Sequence, residues 1–260
     1  MRRVKAGFTL IEVLVVIAIV ALLIGILLPA LGKARITAAR TKALANARTV
    51  ASMFDVYASS NSDGYPFVEP GSEPNGVPGM QFITLNWYPE NTIIATNDLF
   101  MLGWGWPSPL SDVAPWEENY STWVSPGKDT ELPEPDDFGD EHHPDDDISW
   151  RFSHSFLADP ALWDETPPAD PSALLRGVRS YEVSFPSQKV MLWDTHLAFL
   201  PTEPEVVDGH WNAPTPMAFA DMHAESRNPL DATEGVANAL REGAHERLNN
   251  TPNGVRGVDY

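Results

Sequence analysis

Residues 5–31 read KAGFTLIEVLVVIAIVALLIGILLPAL, and this stretch decides the fold. From Phe8 to Leu31 it holds 24 residues with a single charge, Glu12. As a helix rising 1.5 Å per residue the run reaches about 36 Å, enough to cross a bilayer core. An ionised carboxylate inside lipid costs at least a few kcal/mol, so Glu12 reads as functional. Pro29, near the end of the run, removes one backbone donor and is expected to kink or locally open the helix.

The seven residues before the run, MRRVKAG, form a short basic leader. After it the pattern changes without a break. The stretch GKARITAARTKALANARTVASMFDVYASS (32–60) is rich in alanine and free of proline. Leu44, Ala47, Ala51, Phe54 and Ala58 fall on one helical stripe, while Lys33, Arg35, Arg40, Lys42 and Arg48 line much of the remaining surface. The spacing predicts one helix of roughly fifty residues, half in lipid and half outside it. NSDGYP at Asn61–Pro66 supplies the turn chemistry that ends it.

Charge divides the chain in the same place. Residues 1–48 hold eight of the 17 Lys and Arg and one acid, whereas residues 49–260 hold nine basic and 35 acidic residues. Phosphate backbones require clustered cations, so the acidic body excludes nucleic acid as a partner. The chain has no cysteine, which removes disulfides, thiolate metal sites and cysteine nucleophiles. Its 24 prolines, all but Pro29 beyond residue 60, and nine tryptophans predict a loop-rich body with aromatic packing.

Within that body the expected elements are strands. QFITLNWY and NTIIATNDLFMLGWGW each have room for one. ISWRFSHSFL alternates apolar and polar residues from Ile148 to Phe156, the mark of a half-buried strand. RSYEVSF (179–185), KVMLWDTHLAFL (189–200) and PMAFADMHAES (216–226) are further candidates, with a short helix expected near Glu234–Leu248. Residues 126–147 are a loop by composition, and the carboxylates of 136–147 are a candidate calcium ligand set. No Gly-x-Ser-x-Gly, phosphate loop or dinucleotide fingerprint is present.

Three readings fit the N-terminus: a cleaved secretory signal, an uncleaved signal anchor, or a signal that explains the Gly-Phe junction and Glu12 together. GFTLIEV (7–13) resembles the class III signal of type IV prepilins and type II secretion pseudopilins, in which a basic leader ends in Gly and Glu stands fifth in the mature chain. Gly7, Phe8, Thr9, Leu10, Ile11 and Glu12 match it, with Arg2, Arg3 and Lys5 in the leader. The resemblance implies that a prepilin peptidase cuts between Gly7 and Phe8 and methylates the Phe8 amine. It implies that Glu12 meets the amino terminus of a neighbouring subunit during assembly, and that Pro29 matches the proline common in the membrane half of such helices. It also implies an α+β fold: a long N-terminal helix packed on an antiparallel sheet. The expected domains are a leader (1–7), a transmembrane and amphipathic helix (8–60) and an extracytoplasmic head (61–260). The expected place is the cytoplasmic membrane, single-pass, in a homo- or hetero-oligomeric filament. No catalytic role and no obligatory cofactor are expected. The competing reading is an enzyme or ligand-binding module tethered by a pilin-type anchor, with His154 and the residues below as its chemistry.

Four of the seven histidines follow an aspartate by two residues: Asp140/His142, Asp194/His196, Asp208/His210 and Asp221/His223. Composition alone predicts about half of one such pair. In strands, positions i and i+2 share a face, so Asp194, His196, His210, Asp221 and His223 are candidate ligands for a transition metal. VDGHWNAPTPMAFADMHAES (207–226) is also similar to the C-terminal motif of a pilin-like family expanded in planctomycetes, with His210, Asp221 and His223 as counterparts. Here the His-to-Asp spacer is ten residues, and Met222 stands where that motif has Gly.

Overall fold

The computed structural model describes residues 9–67, 81–85, 92–96, 103, 105–128, 148–164, 166, 170–202, 211–240 and 245–260. By contacts the chain divides into two compact units, Met1–Ala39 and Arg40–Tyr260.

One helix, α1 (Leu10–Ser60), belongs to both. In the first unit the large apolar residues from Leu10 to Leu31 are 46–83 % exposed. Pro29 lies inside α1 without ending it. Lacking an N–H, it leaves the Gly25 carbonyl without its helical donor.

In the second unit the same helix buries Ala43, Asn46, Ala47, Val50, Ala51, Phe54 and Ala58, spaced by three and four residues as an amphipathic face requires. Alanines dominate the stripe, so the backbone comes close to its neighbours. Phe54 is the large exception, its ring 5.3 Å from Trp106 and 5.0 Å from Phe152. Ser62 and Asp63, both at positive φ, turn the chain as α1 ends. The Asp63 N–H closes back on the Ala58 carbonyl at 2.9 Å.

The head is an α+β structure. Strands β1 (Gln81–Leu85) and β2 (Thr92–Thr96) form an antiparallel hairpin, and a short helix, α2, spans Trp116–Trp123. The main sheet runs in the order β3 (Trp150–Phe152), β4 (Val190–Asp194), β5 (Thr215–Phe219), β6 (Ala224–Arg227), every pairing antiparallel. Its two faces feed two cores. Trp150, Phe152, Met191, Leu192, Ala218 and Ala224 join the α1 stripe. Val190, Trp193, Met217 and Phe219 join Ala232, Leu248 and Tyr260. A register shift between Val190 and Leu192 accompanies the turn of consecutive Met191 and Leu192 into one core.

Several expectations change. The strand in ISWRFSHSFL covers only Trp150–Phe152 and then tightens into a 3-10 turn, His154–Phe156. It is buried throughout, not half-buried, because segment 248–251 covers its polar side. Ser153 and Ser155 donate to the Leu248 and Asn249 carbonyls at 2.6 and 2.8 Å. RSYEVSF is no strand but a 3-10 turn, Ser180–Glu182, closed by the Glu182 carboxylate on the Arg179 N–H at 2.8 Å. PMAFADMHAES is not one strand but the end of β5, a turn and β6. In the expected helix near Glu234–Leu248, the described residues 234–240 and 245–248 are irregular or turn. Residues 129–147, most of the acidic loop, lie outside the described residues.

Candidate functional site

The N-terminal end of α1 is a capping box. Thr9 donates from its backbone N–H and from Oγ1 to Glu12 Oε2, each at 2.8 Å. The Glu12 N–H donates to Thr9 Oγ1 at 3.3 Å. The pair satisfies two donors that a helix start otherwise leaves free, and it places a carboxylate at the positive end of the helix dipole. Glu12 therefore has partners within its own chain. Thr9 was legible as a site residue from the Thr-x-x-Glu spacing, a signal overshadowed by the Gly-Phe junction. Gly7 and Phe8 lie outside the described residues.

The Asp-x-His pairs are built differently from the expected ligand rows. Asp194 ends β4, and His196 stands beyond it in a turn. Asp194 Oδ1 accepts from the N–H groups of His196 and Leu197 at 3.0 and 3.1 Å. Oδ2 accepts from Ser125 Oγ at 2.7 Å. The His196 ring faces Thr195 Oγ1 at 3.1 Å. Asp221 and His223 lie in the four-residue connection between β5 and β6, 220–223, where Asp221 Oδ1 accepts from the His223 N–H at 3.2 Å and contacts its Nδ1 at 2.5 Å. In both pairs the aspartate closes a turn on the residue two positions on. The same device recurs at Asp159, Asn228 and Asn238. Among the described residues no group of three or more metal-ligating side chains converges. His210 and the pairs at 140/142 and 208/210 lie outside the described residues.

The hairpin explains the departure at Met222. The Met222 N–H donates to the Phe219 carbonyl, and Met222 itself sits at φ 69°. The Phe219 N–H donates to the His223 carbonyl at 2.9 Å, so the loop inside that bond is 220–222. A three-residue loop places its last residue in this left-handed region, where glycine is at ease and a side chain is strained. The Asp-Gly order of the similar motif thus has a backbone reason.

Sequence reasoning missed a buried polar knot. Lys189, wholly buried before β4, holds its Nζ 3.1 Å from Ser155 Oγ and 3.2 Å from Asp259 Oδ2, and it also donates to Thr251 Oγ1. Asp259 accepts from the Val190 N–H at 2.8 Å. Burial pulls the Lys189 ammonium below its usual range, against the Asp259 carboxylate. Burial pushes Asp194 up to about 6, opposed by its Ser125 and backbone donors. Nothing in their spacing announces these groups, since Lys189 and Asp259 are 70 residues apart. His154 is also wholly buried, with Nε2 2.5 Å from Arg151 Nη2, which makes it a packed core histidine.

A family model described as the prokaryotic N-terminal methylation motif matches residues 2–28. Comparison with curated proteins and with solved structures gave no match. The chain thus carries a prepilin-type methylation signal on a helix long and apolar enough to cross a membrane, ahead of an α+β head. That signal points to a structural subunit rather than an enzyme.

Proposed function

We propose that this chain is a pilin-like or pseudopilin subunit, cut between Gly7 and Phe8 by a prepilin peptidase, methylated on Phe8 and assembled into a filament of the type IV pilus or type II secretion kind. One observation carries the reading. A matched methylation motif leads into a helix whose first half is apolar and bare, while its second half belongs to the core of a folded head. In a bilayer the bare half is solvated by lipid. In a filament its neighbours are other copies of the same half. The head lies outside the cytoplasm in this reading, and its acidic surface is compatible with that side.

Assembly gives Glu12 a second partner. The methylated Phe8 amine of an adjacent subunit competes with Thr9 for the carboxylate. In a low dielectric an unpaired charge penalises wrong stagger more than a correct pair stabilises the right one. Pro29 and the Gly25 carbonyl it frees supply a point where the helix can bend or open.

The test is N-terminal mass spectrometry of the membrane-extracted chain. The expected species begins at N-methylated Phe8, and Gly7→Ser leaves the leader attached. A mature Met1, or a cut beyond Leu31, overturns the reading. Glu12→Ala is expected to leave membrane insertion intact and reduce filament incorporation at least tenfold, as a lost pairing of about 1.4 kcal/mol or more requires; normal incorporation removes Glu12 from the mechanism.

A further inference from the structure

The head-side end of the apolar run carries charges that the filament reading leaves unused. From Val13 to Phe54 the chain contains no acid, and the first cations after Leu31 are Lys33 and Arg35. Both are exposed. Neither takes part in an ion pair among the described residues. At helical rise they stand about 3 and 6 Å beyond Leu31, and at 100° per residue about 160° apart around the axis. The polar layer of one leaflet is about 5–8 Å deep. Two cations at that depth, on nearly opposite sides of a bare helix, reach headgroups in every direction, and their aliphatic stems lie along the apolar surface below.

We infer that Lys33 and Arg35 form a cationic collar that binds anionic phospholipid headgroups where α1 leaves the bilayer. The inference rests on the membrane-anchor reading. The ligand is a lipid phosphate bearing net negative charge, and the collar sets the depth at which the subunit waits before assembly. Position favours lipid over the acidic head of a second copy: both cations follow the apolar run within one and a half turns. A basic side chain near an anionic surface favours binding by roughly fivefold, so two charges favour it by about 25-fold at low salt when both reach headgroups.

The experiment reconstitutes the full chain in phosphatidylcholine vesicles and measures the selectivity of its lipid shell by spin resonance. The probes are spin-labelled phosphatidylglycerol and phosphatidylcholine. The expected result is at least a threefold preference for phosphatidylglycerol. It falls to near unity in the Lys33→Gln/Arg35→Gln double variant and in molar salt, and largely survives Arg2→Gln/Arg3→Gln/Lys5→Gln. A shell without preference, or a preference lost only in the leader variant, overturns the collar while leaving the anchor in place. Absence of any motionally restricted lipid overturns the anchor reading and the collar with it. Salt-sensitive self-association lost in the double variant, without lipid preference, reassigns the two cations to a second copy and also overturns the proposal.

Discussion

Residues 10–31 and residues 43–58 share one helix and obey opposite rules. In the first stretch every large apolar side chain is exposed, from Leu10 to Leu31. In the second, one face is buried and the rest of the surface carries Arg48 and Asp55. Backbone geometry is common to both, so secondary structure explains neither. What differs is the solvent each sequence is written for. Leu, Ile and Val on all sides suit lipid, whereas small residues on one stripe suit a protein core. The lesson is that a helix boundary and a domain boundary are separate facts: contacts divide the chain at Ala39, in the middle of unbroken helix.

The comparison is sharpened most by substitutions within the cores. Phe54→Ala should destabilise a head fragment lacking residues 1–31 by about 3–5 kcal/mol, because Phe54 is fully buried between Trp106 and Phe152. Ile17→Ala in the full chain should leave the head's unfolding midpoint unchanged. Guanidinium unfolding followed by tryptophan fluorescence measures both, and an equal effect at the two sites breaks the distinction. Lys189→Met should cost about 3–5 kcal/mol, since it strands Asp259 in a buried site. If the same unfolding experiment gives a neutral result, the knot contributes no stability.

Smaller effects probe the turns. The folded Asp194 holds its proton up to about pH 6, above the usual aspartate value near 3.8. Its protonation favours the fold fully below pH 4, and that contribution is lost as pH rises through 6. Asp194→Asn keeps the shape without the charge, so from pH 4 to pH 7 stability should move in the variant's favour by up to about 3 kcal/mol. A pH-independent difference between variant and wild type would refute this. Met222→Gly should stabilise by about 0.5–1 kcal/mol by relieving the positive φ. A lower melting temperature would mean that the Met222 side chain contributes more than its strain costs.

Much of α1 was legible because its signals are local: an apolar run, a 3.6-residue stripe and a turn cluster at Asn61–Gly64. The head was legible only where strands were short and apolar, as at Val190–Asp194. Alternation from Ile148 to Phe156 misled because its serines face the carbonyls of Leu248 and Asn249 rather than water. Aspartate two before histidine suggested ligands, yet in the described pairs the carboxylate is spent on the backbone of its own turn. Proline held a readable message that composition hides. Pro160, Pro171, Pro186 and Pro229 each open a 3-10 turn, where a missing N–H is no loss. Thr9 was readable too, from a spacing of three.

The knot at Lys189 also has a consequence in time. Its carboxylate partner is 70 residues further along the chain, and Thr251 is 62. A polypeptide made from its amino end presents Lys189 long before Asp259 is added. Until then the β4 entry lacks its counter-charge and one face of the sheet lacks its cover. The head therefore stays incomplete until segment 251–259 has been added, and its second core closes in a late step of folding.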